Sequence, residues 1–271
     1  MTNVKKVPTE AVKQPFLTGD PVDASTPKSS LMVFGGLLIT AFAYMMGGAV
    51  MTFDNLPLRL LLNGLMLIVV LSVFFYAGAS NGTSAVNQGE ILYRRKETSR
   101  EIKKEEQALC YHRFKGFLIG FFAAIPLFIC ACILAATTQR LMTTPGALPS
   151  WLTGLTSRKD ITDALHVYTA GSPVTLTVIV RVIVRLALMP FVNMISASNP
   201  DGLLLLERLS PLLVLLPGAA YGFGYTRGPS NRSRVHTDIA RNKKTAAKKA
   251  RLQKKRRAAA QRSSRGPQQL N

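Results

Sequence analysis

Five apolar runs, at about residues 31–53, 58–80, 116–136, 173–197 and 203–225, limit what this chain can become. A hydrocarbon layer roughly 30 Å thick is spanned by about 20 helical residues rising about 1.5 Å each. Each run passes that test, the fifth narrowly, because Glu207 and Arg208 shorten its uninterrupted part. Lipid offers the backbone no hydrogen-bond partner, so a spanning run is expected to be a helix satisfied within itself. The expected fold class is therefore all-α: a polytopic integral membrane bundle of four to five hydrophobic helices occupying residues 31–226.

Charge is segregated in a way that a soluble surface does not require. The chain carries a formal net charge of +20, and its last 45 residues hold 15 of its 34 Lys and Arg. The tail, residues 227–271, is expected to be a basic, weakly helical or disordered cytoplasmic extension: its alanines favour helix, but no apolar face of useful width emerges. Residues 1–30 are polar, contain Pro8, Pro15, Pro21 and Pro27, and lack the short apolar core of a cleaved signal. They read as a disordered cytoplasmic leader ahead of an uncleaved first helix.

Only residues 54–57 separate the first two runs, which predicts a tight antiparallel hairpin. Small residues mark the surfaces expected to pack: Ala43 with Gly47, Gly116 with Gly120, and Gly218 with Gly222, each pair four apart so that another backbone can come close. The polar stretch 81–115, with eight Lys and Arg against five Glu, reads as helical extensions of its flanking runs meeting in a cytoplasmic connection. Residues 140–171, with three Lys and Arg, read as an external loop carrying Trp151.

These assignments create a parity problem. Leader, connection and tail are all expected inside, so an even number of crossings must lie between connection and tail, yet three apolar runs lie there. The fourth run is the one expected not to cross, because it contains Arg181 and Arg185. A central Arg opposes insertion by about 2.5–3.5 kcal/mol, whereas each Leu, Ile or Val returns only about 0.3–0.6 kcal/mol. Four residues apart, the two arginines share one helix face and could stay at an interface. The rival is five crossings, in which Arg181 and Arg185 face the interior with Glu207 or Asp201 as partners.

Arg181 and Arg185 are also the candidate contact for a phosphate or carboxylate, since guanidinium groups bind both bidentately. The competing reading is that they fix the depth of their helix. Arg227, Arg232, Arg234, Lys243, Lys244, Lys248 and Lys249 are candidate contacts for anionic lipid headgroups. RNA or the ribosome is a second polyanion the tail could meet, and the lack of aromatic residues after Tyr225 restricts that contact to phosphates. A membrane-protein partner is a further expectation from the small-residue surfaces.

Catalysis finds little support. His112, His166 and His236 lie in separate polar regions, Cys110, Cys130 and Cys132 form no disulfide framework or metal spacing, and no catalytic, cofactor-binding or metal-ligating motif is present. The expected function is a non-catalytic membrane component: a transporter subunit, or a lipid- or partner-binding scaffold with a polybasic cytoplasmic tail. One alternative is a stand-alone transporter of a small anionic solute, with Arg181 and Arg185 lining a cavity. The other is an enzyme acting on lipid-linked substrates, which would draw on Asp54, Asp160, Asp163, His166, Asp201 and Glu207. The overall pattern is similar to that of small bacterial membrane proteins, which implies a plasma-membrane location.

Overall fold

A computed structural model of the chain describes residues 14–48, 53, 55–138, 176–195 and 199–264. The described residues are helical, with no strand. In chain order the helices are α1 (Thr26–Gly48), α2 (Leu56–Glu97), α3 (Lys104–Ala108), α4 (Lys115–Thr137), α5 (Leu176–Ala187), α6 (Met189–Ile195), α7 (Pro200–Val214), α8 (Leu216–Thr226) and α9 (Gly228–Ser264). Four are long and apolar enough to cross a membrane: α1, α2, α4 and the run Pro200–Arg257 that joins α7, α8 and α9. The pair α5 and α6 would be a fifth only as a broken span, since it bends by 90°.

Local chemistry explains the helix boundaries. Asp23 precedes α1 and accepts hydrogen bonds from the hydroxyls of Ser25 and Thr26, so the helix starts at Thr26, ahead of the apolar run itself. Pro57 and Pro200 sit in the first turns of α2 and α7, where a missing amide donor costs nothing. The side chain of Asn199 caps α7 by accepting from the Gly202 amide at 3.0 Å. Arg94, Arg95 and Lys96 fill the last turn of α2, the sign the helix dipole favours.

Within the bundle, α8 is held between α2 and α4 by glycines. A Cβ on Gly120 would strike the Gly218 backbone, one on Gly78 the Tyr221 carbonyl, and one on Gly224 the Phe75 carbonyl. The residue pairs 131 with 210, 120 with 218 and 117 with 222 make α4 antiparallel to α7 and α8. The pairs 78 with 221, 82 with 228 and 90 with 236 make α2 parallel to α8 and α9. A core including Leu37, Phe74, Ala123, Leu134, Val184 and Tyr221 fills the middle. Outside it, large side chains such as Ile39, Leu61, Ile68 and Val73 are exposed, and only 11% of the most apolar stretch of α2 is buried. An apolar girdle of that extent suits helices long and apolar enough to cross a membrane.

The geometry also shows that α5 and α6 do not run from one end of the bundle to the other. Thr138, at the end of α4, touches Glu207 near the start of α7, so the chain leaves and re-enters at the same end. Arg181 and Arg185 also touch Glu207. Leu176 lies five residues before Arg181, only about 7.5 Å along a helix. The opposite end, near Thr226, is 19 residues beyond Glu207, roughly 28 Å away. At its exit, Ile195 of α6 lies against Gly202, again at the starting end. The pair is a bent hairpin whose two ends lie at the same end of the bundle.

Three sequence expectations need amendment. The leader is not disordered from residue 14 onward: Leu17 donates to the Gly89 carbonyl at 3.2 Å and Gly19 to the Tyr111 carbonyl at 3.0 Å, because glycines at 19 and 89 let this irregular segment lie flat on the bundle end. The tail is one helix from Gly228 to Ser264, since Pro229 falls in its first turn and Gly228 packs on Gly82. The fourth and fifth apolar runs are each two helices, broken beside Pro190 and Pro217. The expected external loop at 140–171, with Trp151, lies outside the described residues.

Candidate functional site

Two groups of charged residues are buried in the bundle, one at each end. At the end where α4 stops, α5 presents Arg181 and Arg185 on one face, as their spacing requires. Both converge on Glu207 of α7: Arg181 Nε lies 3.0 Å from Glu207 Oε1, and Arg185 approaches the same oxygen with Nη2 at 2.6 Å and Nε at 2.9 Å. Thr138 donates to the other carboxylate oxygen. Glu207 is sealed, with a side chain 4% exposed, while Arg181 and Arg185 keep 17% and 31%. The Arg181 Nε is buried and makes no hydrogen bond, so its contact is an ion pair out of hydrogen-bonding line. Two guanidinium groups against one carboxylate leave one positive charge in excess.

Beside the hairpin, Asn193 of α6 donates to Asn63 of α2 at 3.3 Å, and Asn63 donates to the Arg59 carbonyl at 2.8 Å. This buried amide pair joins the bent hairpin to α2. At the elbow, a cavity of about 40 Å3 is lined by Leu37, Tyr44, Leu188, Phe191, Val214 and Pro217, among others. It has room for a few waters at most.

At the opposite end, Glu90 of α2 anchors the tail helix. Arg232 Nε lies 2.9 Å from Glu90 Oε2, His236 Nε2 lies 2.8 Å from Oε1, and Arg232 Nη2 donates to Asn87 at 2.6 Å. A cleft of about 770 Å3 opens beside this cluster, between residues 14–16 of the leader and residues 229–236 of α9, with Arg234 on its rim. Close by, Lys115 Nζ pairs with Asp23 at 2.9 Å, both side chains at most 4% exposed. Burial pushes the Asp23 carboxyl up, but hydrogen bonds from Thr26, Ser25 and Lys115 outweigh it and hold it below its ordinary value. Burial raises the thiol of Cys110, which is 0% exposed. Tyr111 stacks on Tyr225 with centroids 5.5 Å apart, and Phe16 meets Tyr111 edge-on.

Sequence-predicted residues divide accordingly. Arg181 and Arg185 come together on Glu207, one of the two partners named for them under the rival five-crossing expectation. Gly116, Gly120, Gly218 and Gly222 all lie where a side chain would strike α4 or α8. Ala43 is exposed, and Gly47 faces the flexible end of Met66, so that pair makes no seam among the described residues. Among the tail cations, Arg232 is engaged by Glu90, whereas Arg227, Arg234, Lys243, Lys244, Lys248 and Lys249 are exposed. Asp54, Asp160, Asp163 and His166 lie outside the described residues. Sequence reasoning missed Glu90, His236, Asn63 and Asn193. The two asparagines carried a signal: Asn63 and Asn193 are amides within apolar runs.

Among the described residues, no three His, Cys, Asp or Glu side chains gather as a metal would require. No family model matches the chain, and no curated protein or solved structure matches it either.

Proposed function

We propose that the chain is a non-catalytic integral membrane protein that crosses a bilayer four times with both ends in the cytoplasm. It works as a lipid- or partner-binding scaffold, or as the subunit of a transporter, built around an upright helical arm. The observation that carries this reading is the parallel pairing of α2 with α8 and α9. With 42 residues, α2 is about 63 Å long against a hydrocarbon core of roughly 30 Å, so half of it stands clear of the bilayer. There Glu90 grips Arg232 and His236, and the two helices leave the bundle as one unit. The exposed basic residues Arg227 and Arg234 fall near the headgroups, where anionic lipid attracts them. Arg181, Arg185 and Glu207 act as pins that hold the re-entrant hairpin at its depth.

Labelling of single cysteines in intact cells tests the topology on which this rests, after the native cysteines are replaced. Asn55→Cys, in the hairpin between α1 and α2, is expected to react with an impermeant maleimide in intact cells. Asn242→Cys, on α9, is expected to react only after permeabilisation. Reaction of both from the same side overturns the arrangement.

A further inference from the structure

Residues 241–257 of α9 carry ten Lys and Arg and no acid, and every side chain there is exposed. Arg241, Lys244, Lys248, Arg251 and Lys255 follow one another at steps of three and four, so they form a single stripe along the helix. Like charges at those spacings oppose the helix they sit on. A polyanion laid along the stripe removes that penalty.

Reach decides which polyanion. α9 follows α8 directly and is clamped to the parallel α2 at Gly228 and Glu90, so its exposed part continues beyond the bundle. Taking the polar turning point at Gly82 and Gly228 as the bilayer surface, Arg241 stands 13 residues and Lys255 stands 27 residues beyond it. Those separations are about 20 and about 40 Å. Charges in salt at cellular strength feel one another over about 8 Å. The chain's own bilayer therefore attracts Arg227 and Arg234 but not this stripe. A protein partner fits poorly as well, because protein interfaces centre on apolar and aromatic anchors and are depleted in Lys. Residues 241–257 offer Leu252 as their one large apolar side chain.

We infer that residues 241–257 of α9 are a docking helix for the phosphate backbone of a nucleic acid, held in the cytoplasm beyond the reach of the headgroups. Without aromatic side chains, the helix has no platform for base stacking, so binding is independent of sequence. The inference rests on the four-crossing reading only for its cytoplasmic setting, and cysteine labelling tests that setting separately.

The experiment uses the full chain in nanodiscs of zwitterionic lipid and follows the fluorescence anisotropy of labelled RNA and DNA duplexes of about 20 base pairs as salt rises. Five phosphate contacts predict a slope of log K against log salt of about −4.5 on DNA. The variant R241Q/K244Q/K248Q/R251Q/K255Q keeps its helix, since Gln is a good helix former. It is expected to bind at least about tenfold more weakly, with a shallower slope. The ratio of RNA to DNA affinity identifies which source of phosphate is preferred. Wild-type binding no tighter than the variant's overturns the inference, as does tighter binding to polyglutamate than to either duplex. A fluorophore at Lys248→Cys quenched by headgroup probes in anionic nanodiscs also overturns it, because the arm then lies on its own bilayer.

Discussion

The charges buried at the two ends make opposite demands on single residues. Removing Arg181 leaves Arg185 and Glu207 as a neutral pair, whereas removing Glu207 leaves two cations facing each other in a largely desolvated site. Glu207→Gln is therefore expected to cost about 3–5 kcal/mol, and Arg181→Gln about 1 kcal/mol, in denaturant unfolding of the protein in micelles. Equal losses would mean that Glu207 does not hold the cluster. The Asp23 to Lys115 pair adds a pH dependence. Because the folded carboxyl titrates below its ordinary 3.8, the stabilisation is complete above about pH 3.8 and drains away as pH falls through the folded value. Asp23→Asn should thus lower the melting temperature at pH 7, and the gap to wild type should narrow below pH 3.8. Arg181, Arg185 and Glu207 were legible because charges inside apolar runs are rare and expensive. Glu90 with His236 was not, because charge is cheap in the polar stretches that hold them and 146 residues separate the two.

At the scale of elements, the glycine contacts are unequal, and that inequality is testable. Gly78 and Gly224 face backbone carbonyls that cannot move aside, whereas a Cβ on Gly35 meets nothing within 4 Å. Gly78→Ala and Gly224→Ala are each expected to destabilise by about 1–3 kcal/mol in thermal melts, while Gly35→Ala leaves the melt unchanged or slightly raised. Equal behaviour of all three would show that α2 and α8 are not in close contact. Run lengths carried the number of apolar elements into view, and four-residue spacing marked faces of α4 and α8 that pack, though not that they pack on each other. The elbows were harder to read. Pro190 and Pro217 each bias the preceding residue away from helix, but hydropathy is continuous across both, so the runs looked whole. The tail helix was obscured for another reason: its first turns are stabilised by α2, a contact between segments distant in sequence.

For the whole molecule, α2 and α9 are joined through Glu90, Gly82 and Gly228, and Glu90 is where their coupling can be broken. Nitroxides at Glu97→Cys and Lys244→Cys are expected to give a narrow distance distribution in electron paramagnetic resonance. Adding Glu90→Gln should broaden it, since Arg232 and His236 lose their common partner. A distribution that stays narrow would assign the rigidity to Gly82 and Gly228 alone.

The segment formed by residues 14–22 is an early product of synthesis with a late destination. Its hydrogen-bond acceptors at Gly89 and Tyr111 emerge some 70 to 90 residues later, and Tyr225, which completes the aromatic stack beneath it, emerges later still. Until those partners are made, residues 14–22 have none of these contacts to rest on. Its contacts are complete only once Tyr225 of α8 has been made, so the docking of residues 14–22 is a late step in assembling the bundle.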